Sequence, residues 1–263
     1  MLRFRRLRFA RLSKEHGTRS TTAIIVAAGK GTRMGPDVDK LFLEIAGKPV
    51  VVHTWQRFDT AQCIDEIVLV VREGMQPAFE ELARQFHLRK KFCLVAGGKE
   101  RQDSVWNGLE AVASGTEIVA IQDGARPCTS AALIAATIAA ARESGAAVAA
   151  QPVTDTIKES ADGKIVDRTP DRSKLWAVQT PQTFRLEIIR RALSEVRQKG
   201  LLVTDDTAAC ELIGQAVRLV ASAEPNPKVT RPEDVPYIEM LLAKLAERGM
   251  NSASCPAIEG HAE

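Results

Sequence analysis

No stretch of this chain is long and apolar enough to span a bilayer. The longest apolar run, Ala131 to Ala141, is ended by Arg142 and Glu143, short of the roughly 18–20 residues a span needs. Cysteine is scarce and odd in number. Cys63, Cys93, Cys128, Cys210 and Cys255 are scattered and form no C-x-x-C pair, so neither a disulfide framework nor a Cys-type zinc site is indicated. A reducing, cytoplasmic setting is the expectation. The histidines, His16, His53, His87 and His261, share no ligand spacing, and no Ser/His/Asp arrangement is visible. Repeats and low-complexity tracts are also missing. At 45% hydrophobic and 26% charged, the composition is that of an ordinary globular protein, and 263 residues fit one large α/β domain or two small ones.

Most of the chain also lacks an excess of positive charge. Residues 1–22 hold seven basic side chains against one acid, Glu15, whereas residues 23–263 carry 29 basic and 32 acidic side chains. A uniformly basic nucleic-acid binder is therefore disfavoured, and no nucleic-acid or membrane partner is expected. In the leader, arginines interrupt every Leu and Phe, which spoils a secretory signal. Its Arg-rich, acid-poor character would suit an organelle transit peptide, but a disordered extension is the simpler reading. The main domain is expected over 23–248, and Ser, Pro, Gly and mixed charge make 249–263 a flexible tail. About 17 residues follow Ala246, so no second catalytic domain is expected there.

What is present is alternation. Short β-branched runs at Ala23 to Ala28, Glu66 to Val71, Phe92 to Val95, Glu117 to Gln122 and Gly145 to Ala150 read as buried strands. Helical periodicity falls at Val50 to Phe58, Pro77 to Phe86, Ser104 to Ala113 and Ala131 to Arg142. Strand then helix, repeated, means an α/β fold: a Rossmann-like open, mostly parallel sheet with helices on both faces. Ligands bind such sheets beyond the carboxyl ends of the strands, so the loops after Ala28, Val95 and Gln122 should share one crevice. Alternating residues around Asp162-Gly163 then predict a β-hairpin arm over about 154–172 that projects from the domain. Helices follow at Leu186 to Lys199, Asp205 to Ile213 and Pro232 to Ala246, with a further strand at Val217 to Ala221.

The first strand exits into Ala27-Ala28-Gly29-Lys30-Gly31-Thr32-Arg33-Met34, where successive backbone N–H groups could cradle an anion. Met34 replaces the third glycine of a dinucleotide fingerprint, and Gly-Lys-Ser/Thr never occurs at Walker A spacing. What remains is G-x-G-x-R-M followed by Lys40, a loop with cations suited to a triphosphate. Asp123 closes a predicted strand at the crevice, where Mg²⁺ would take one carboxylate plus phosphate oxygens and water. Trp55 and Trp106 sit among apolar residues at helical spacing and read as core, and Cys128 reads as a buried thiol.

The loop resembles that of α/β nucleotidyltransferases that activate sugar or alditol phosphates. Five further segments narrow the likeness: Gly97 to Val105, Gln122 to Cys128, Leu175 to Gln182, Thr204-Asp205-Asp206, and Lys228 to Asp234. In this order and spacing they resemble the 2-C-methyl-D-erythritol 4-phosphate cytidylyltransferases of non-mevalonate isoprenoid synthesis, over about residues 23 to 246. A cytidylyltransferase for another alditol phosphate, such as ribitol 5-phosphate, is the nearest rival. The resemblance implies a Mg²⁺-dependent homodimer with CTP and an alditol phosphate as substrates. Arg33 and Lys40 would be catalytic, stabilising the transition state. Ala27, Ala28, Gly29, Gly31, Gly98 and Ser104 would bind CTP. Thr156, Arg172, Thr180, Lys228 and Arg126 would grip the acceptor phosphate, and Asp123 would hold the metal. Lys99 and Val26 depart from some relatives, which have Asp and Pro there.

Overall fold

The computed structural model describes residues 20–29 and 39–253. Its centre is β1 (Ser20–Ala27), whose sequence STTAIIVA is rich in β-branched residues and buried on both faces. The strand pairs in parallel with β4 (Glu66–Val71) on one side and β6 (Thr116–Asp123) on the other. Beyond β4 lies β5 (Phe92–Ala96), also parallel. Beyond β6 comes β8 (Trp176–Arg185), antiparallel to both β6 and β7 (Ala146–Pro152), and β9 (Arg218–Ala221) runs parallel to β7 at the edge. The sheet order is thus β5-β4-β1-β6-β8-β7-β9. From β1 the chain moves outward to β5 and then returns to β6, so the strand order reverses between β1 and β6. That switch point is where an open α/β sheet leaves a crevice.

Two apolar clusters cover the faces. Ile25 belongs to one, with Trp55 of α1 (Val50–Thr60), Ile134 of α4 (Ala131–Ser144) and Ile238 of α7 (Asp234–Ala253). Its neighbour Ile24 belongs to the other, with Leu109 of α3 (Arg101–Ala111) and Ile189 of α5 (Leu186–Gln198). Successive strand residues point to opposite faces, so the Ile24-Ile25 pair alone requires a layer on each side. Trp55 is fully buried edge-on to Phe92, with ring centroids 4.9 Å apart. Trp106 packs against the second cluster and carries the Arg197 guanidinium over its ring.

The strands and helices read from periodicity are present, α2 (Gln76–Gln85) and α6 (Asp206–Leu212) among them. Helix α3 starts three residues before Ser104 because Glu100 and Asp103 form a reciprocal capping box. Strand β8 was not foreseen. Pro181 and the polar Thr180, Gln182 and Thr183 hide it, yet all four are buried between β6 and β7. Also unforeseen is the small ribbon of β2 (Glu44–Ile45) and β3 (Lys48–Pro49). Ala46 and Gly47 join the two at φ +49° and +73°, the left-handed pair that a two-residue hairpin turn requires.

The expected β-hairpin arm is corrected in kind. Residues 153–171 leave the domain and are almost wholly exposed, but their antiparallel pairing is a single bridge between Glu159 and Arg168. The turn itself forms, with the Asp162 carboxylate accepting from the N–H groups of Lys164 (2.7 Å) and Ile165 (2.9 Å). Two short strands with no third surface gain too little burial to extend the ladder. The first strand and the last helix run further than their apolar patterns suggest. Ser20 already pairs with Thr116, and α7 runs to Ala253, since one glycine, Gly249, does not stop a helix.

Phe184 of β8 is fully buried at the centre of the second cluster. Phe184→Ala should cost about 3–5 kcal/mol of unfolding free energy, read by urea denaturation. A loss below about 1 kcal/mol would show that β8 is not part of the core.

Candidate active site

The crevice opens beyond the carboxyl ends of β1, β5 and β6, where Ala28, Gly29, Gly98, Ser104, Asp123 and Lys228 line a space of about 200 Å³. The three loops expected to meet do so. Gly97 allows the β5–α3 loop to lie against the β1 exit, because a Cβ there would stand 2.3 Å from the Ala28 Cβ and 3.0 Å from the Ser104 Oγ. Ser104 is buried, accepts from the Gly98 N–H at 3.1 Å and donates to the Glu100 carbonyl at 3.2 Å. Its hydroxyl therefore shapes the loop, and the loop backbone forms the wall.

Lys40 sits on a turn fixed from several sides. An ion pair between Asp39 and Arg72 ties the turn to the end of β4, and the Asp39 carboxylate accepts from the Leu41 N–H at 3.2 Å. Leu41 is buried below. The Lys40 ammonium lines the crevice and donates to the Val229 carbonyl at 3.3 Å. Lys228, adjacent, is placed by the Val229 N–H, which bonds the Ala125 carbonyl at 2.8 Å, and by Asn226, which donates to the Thr180 carbonyl at 2.8 Å.

Asp123 ends β6, its N–H donating to the Thr180 hydroxyl at 3.1 Å. Its carboxylate meets three cations: Lys228 Nζ at 2.7 Å, Arg101 Nε at 3.4 Å and Arg126 Nε at 3.7 Å. Burial pushes this carboxyl up, but Lys228 and Arg101 outweigh burial and hold it at about 2. Arg101 reaches in the other direction as well, its Nη1 donating to Asp206 Oδ2 at 2.8 Å. Burial opposes the charge on Arg101, yet the carboxylates of Asp206 and Asp123 prevail and raise its affinity for the proton.

The remaining expected site residues divide. Arg126 stands behind Asp123, its Nη1 donating to the Asn226 carbonyl at 2.6 Å. Thr180 is buried with its hydroxyl supporting Asp123. Thr156 and Arg172 are exposed on the excursion and its exit, Arg172 donating to the Thr154 carbonyl at 2.7 Å, and neither lines this chain's crevice. Arg33 and Gly31 lie outside the described residues. Arg101 and Asp206 were given no role by the sequence. Both occur inside motifs singled out above, but 105 residues separate them and no spacing rule links such a pair.

An open, mostly parallel sheet with a cation-lined crevice at its switch point defines an α/β protein built to bind a polyanion, as nucleotide-handling enzymes do. The family model of IspD, 2-C-methyl-D-erythritol 4-phosphate cytidylyltransferase, matches residues 21–244, and the chain belongs to that family. It is 45% identical over 226 residues to the 2-C-methyl-D-erythritol 4-phosphate cytidylyltransferase of Geobacillus kaustophilus, covering 86% of this chain and 98% of the relative. To that of Alkaliphilus oremlandii it is 43% identical over 223 residues, 84% and 94% of the two chains. Among solved structures, 4-diphosphocytidyl-2C-methyl-D-erythritol synthase from Anaerococcus prevotii matches with TM-score 0.76 at 30% identity, over 86% of this chain and 96% of that one. The 2-C-methyl-D-erythritol 4-phosphate cytidylyltransferase of Thermus thermophilus matches with TM-score 0.71 at 31% identity, over 85% and 99%.

Because Asp123 titrates at about 2 in the fold against 3.8 ordinarily, its ionised form favours folding. That contribution, on the order of 2 kcal/mol, is complete above about pH 4 and is lost as pH falls through 2. Denaturant titrations of the wild type should show this decrement between pH 4 and 2, and Asp123→Asn should show a shallower dependence. Equal slopes would mean that the three cations do not hold the carboxylate.

Proposed function

We propose that the chain transfers the cytidylyl group of CTP to 2-C-methyl-D-erythritol 4-phosphate, giving 4-diphosphocytidyl-2-C-methyl-D-erythritol and pyrophosphate for isoprenoid precursor synthesis. The observation that carries this reading is the convergence of Arg101, Arg126 and Lys228 on one ionised Asp123 at the sheet's switch point, with Lys40 lining the same crevice, in a chain whose family is named for that reaction.

A phosphate oxygen of the acceptor attacks the α-phosphorus of CTP, and the bond to pyrophosphate breaks. The nucleophile is already an anion, so no general base is needed, and catalysis rests on positioning and charge stabilisation. Lys40, on its anchored turn, faces the phosphates, and the likeness of the loop's sequence motif assigns Arg33 the same task. The backbone of Ala27 to Gly29 and of Gly98 selects cytosine by short hydrogen bonds, so UTP is a poor substrate. Lys228 lies between the nucleotide and acceptor positions.

The donor set fits a Mg²⁺ ion held largely by substrate. Asp123 offers one carboxylate, and each of its oxygens keeps a lone pair beyond the bonds to Lys228 and Arg101. The other acid at the crevice, Glu100, is occupied in capping α3. Among the described residues no cluster of three or more His, Cys, Asp or Glu could cage a metal. One carboxylate with phosphate oxygens and water is how Mg²⁺ is ordinarily bound, and it would neutralise phosphate charge.

A homodimer accounts for the exposed excursion. Ile157, Ile165 and Val166 on it, and Trp176 and Val178 where β8 begins, are apolar and exposed, a group that a second copy would cover. Thr156 and Arg172 would then complete the neighbour's acceptor site. A cytoplasmic setting is supported by Cys63, Cys93, Cys128 and Cys210, which are unpaired thiols.

Pyrophosphate release should be fast only with CTP and 2-C-methyl-D-erythritol 4-phosphate, and a chelator should abolish it until Mg²⁺ is restored. Comparable turnover with ribitol 5-phosphate would reassign the acceptor, and comparable turnover with UTP would overturn the base assignment. Lys40→Ala should lower kcat by on the order of 10²-fold. Mixed with an inactive Arg172→Ala chain, it should regain activity, since each heterodimer holds one intact composite site. No recovery after verified subunit exchange would place Arg172 in its own chain's crevice.

A further inference from the structure

Asp206 is a buried acid for which the reaction above has no use. Its side chain is 1% exposed, in the first turn of α6, and it does not line the crevice. Oδ2 accepts the hydrogen bond from Arg101, while Oδ1 is buried without any partner. A carboxylate in this position is a poor device for stability, because desolvation can exceed the attraction of a single ion pair. An orphaned oxygen adds to that cost. Local rules are broken in this way chiefly where function requires it.

The surroundings show what the arrangement secures. Gln182 of β8 accepts the Asp206 N–H at 3.0 Å and donates to Asp205 Oδ2 at 3.0 Å, so the start of α6 is pinned to the sheet. Asp205 caps the helix through the Ala208 N–H at 2.9 Å, which leaves the Asp206 carboxylate with no capping duty. Its one bond goes to Arg101. The Arg101 side chain is 30% exposed, lines the crevice, and spends two of its N–H donors, one on Asp206 and one on Asp123. A guanidinium has five such donors in a planar fork. Without Asp206, Arg101 would have only the long 3.4 Å contact to Asp123, and its rotamers would spread.

We infer that Asp206 is a positioning residue: it fixes the Arg101 guanidinium at the crevice so that the remaining N–H groups of Arg101 meet the phosphates of the nucleotide. Asp206 touches no substrate and acts only through Arg101. The inference rests on the nucleotidyl-transfer reading for its substrate, and on the geometry alone for its anion.

The test is a double-mutant cycle on the full chain with Asp206→Asn, Arg101→Ala and both together. Two readouts are taken: binding of inorganic tripolyphosphate by calorimetry, and steady-state kinetics. Each single substitution should weaken tripolyphosphate by at least fivefold and lower kcat/KM for CTP by at least tenfold. The pair should be no worse than Arg101→Ala alone. KM for the alditol phosphate should stay within twofold, which a general loss of structure would not respect. Arg101→Lys keeps the charge but cannot span both acids, and it should behave like Arg101→Ala. An Asp206→Asn chain that binds tripolyphosphate as the wild type does, or a double variant whose losses multiply, would overturn the inference. A fall in unfolding midpoint with unchanged anion binding would do so too, since it would make Asp206 structural. If the wild type fails to turn over CTP, the functional reading is wrong, and the anion-binding cycle still decides the role of Asp206.

Discussion

Asp123 is the anion on which the crevice depends. Arg101 comes from α3, Arg126 from the loop after β6, and Lys228 from the segment before α7, and all three lie within 4 Å of this one carboxylate. Brought together without it, three partly buried cations would repel one another in a medium that screens poorly. The carboxylate makes their assembly possible before any substrate arrives. The remaining hydrogen bonds serve the same end: Thr180 holds the Asp123 backbone, Asn226 holds Thr180, and Val229 locks Lys228 to the loop after β6. Strand β8 supplies Thr180, which is why a strand of polar residues is buried at the middle of the sheet.

Most of the framework was legible because apolar period and burial agree. Strands β1, β4 and β6 are continuous β-branched runs, and helices α1, α4 and α5 carry apolar faces that find the sheet. The elements that escaped are those in which hydrogen bonding substitutes for apolar pattern. In β8, Gln182 and Thr180 are buried because Asp206 and Asp123 need their side chains. The arm around Asp162-Gly163 misled in the opposite way, since alternation without a neighbouring surface has nothing to be buried against.

In the site, residues joined by short loops were readable and those joined across the fold were not. Gly29, Gly98, Ser104 and Lys228 occur in motifs whose order announces a crevice, and they line it. The partnership of Arg101 with Asp206 belongs to no local pattern. Only the return of the chain through β8 and α6 places Asp206 beneath the start of α3. Thr156 and Arg172 show the converse: their motif is legible, but a single chain gives them no substrate-facing position.

The cation cluster also explains how the site can be stable empty and still favour reaction. While Asp123 and Asp206 set two carboxylates against Arg101, Arg126 and Lys228, the group retains net positive charge, and Lys40 stands nearby. A triphosphate entering the crevice supplies the missing negative charge, and it does so where the cations are already held by bonds to backbone and to buried acids. Little reorganisation is then required as charge moves toward the departing pyrophosphate, and fixed charges are most effective under that condition. Two buried carboxylates divide the labour. Asp123 lines the crevice. Asp206, sealed from water, cannot be drawn away by substrate or metal, so Arg101 keeps one anchor whatever Asp123 does during turnover.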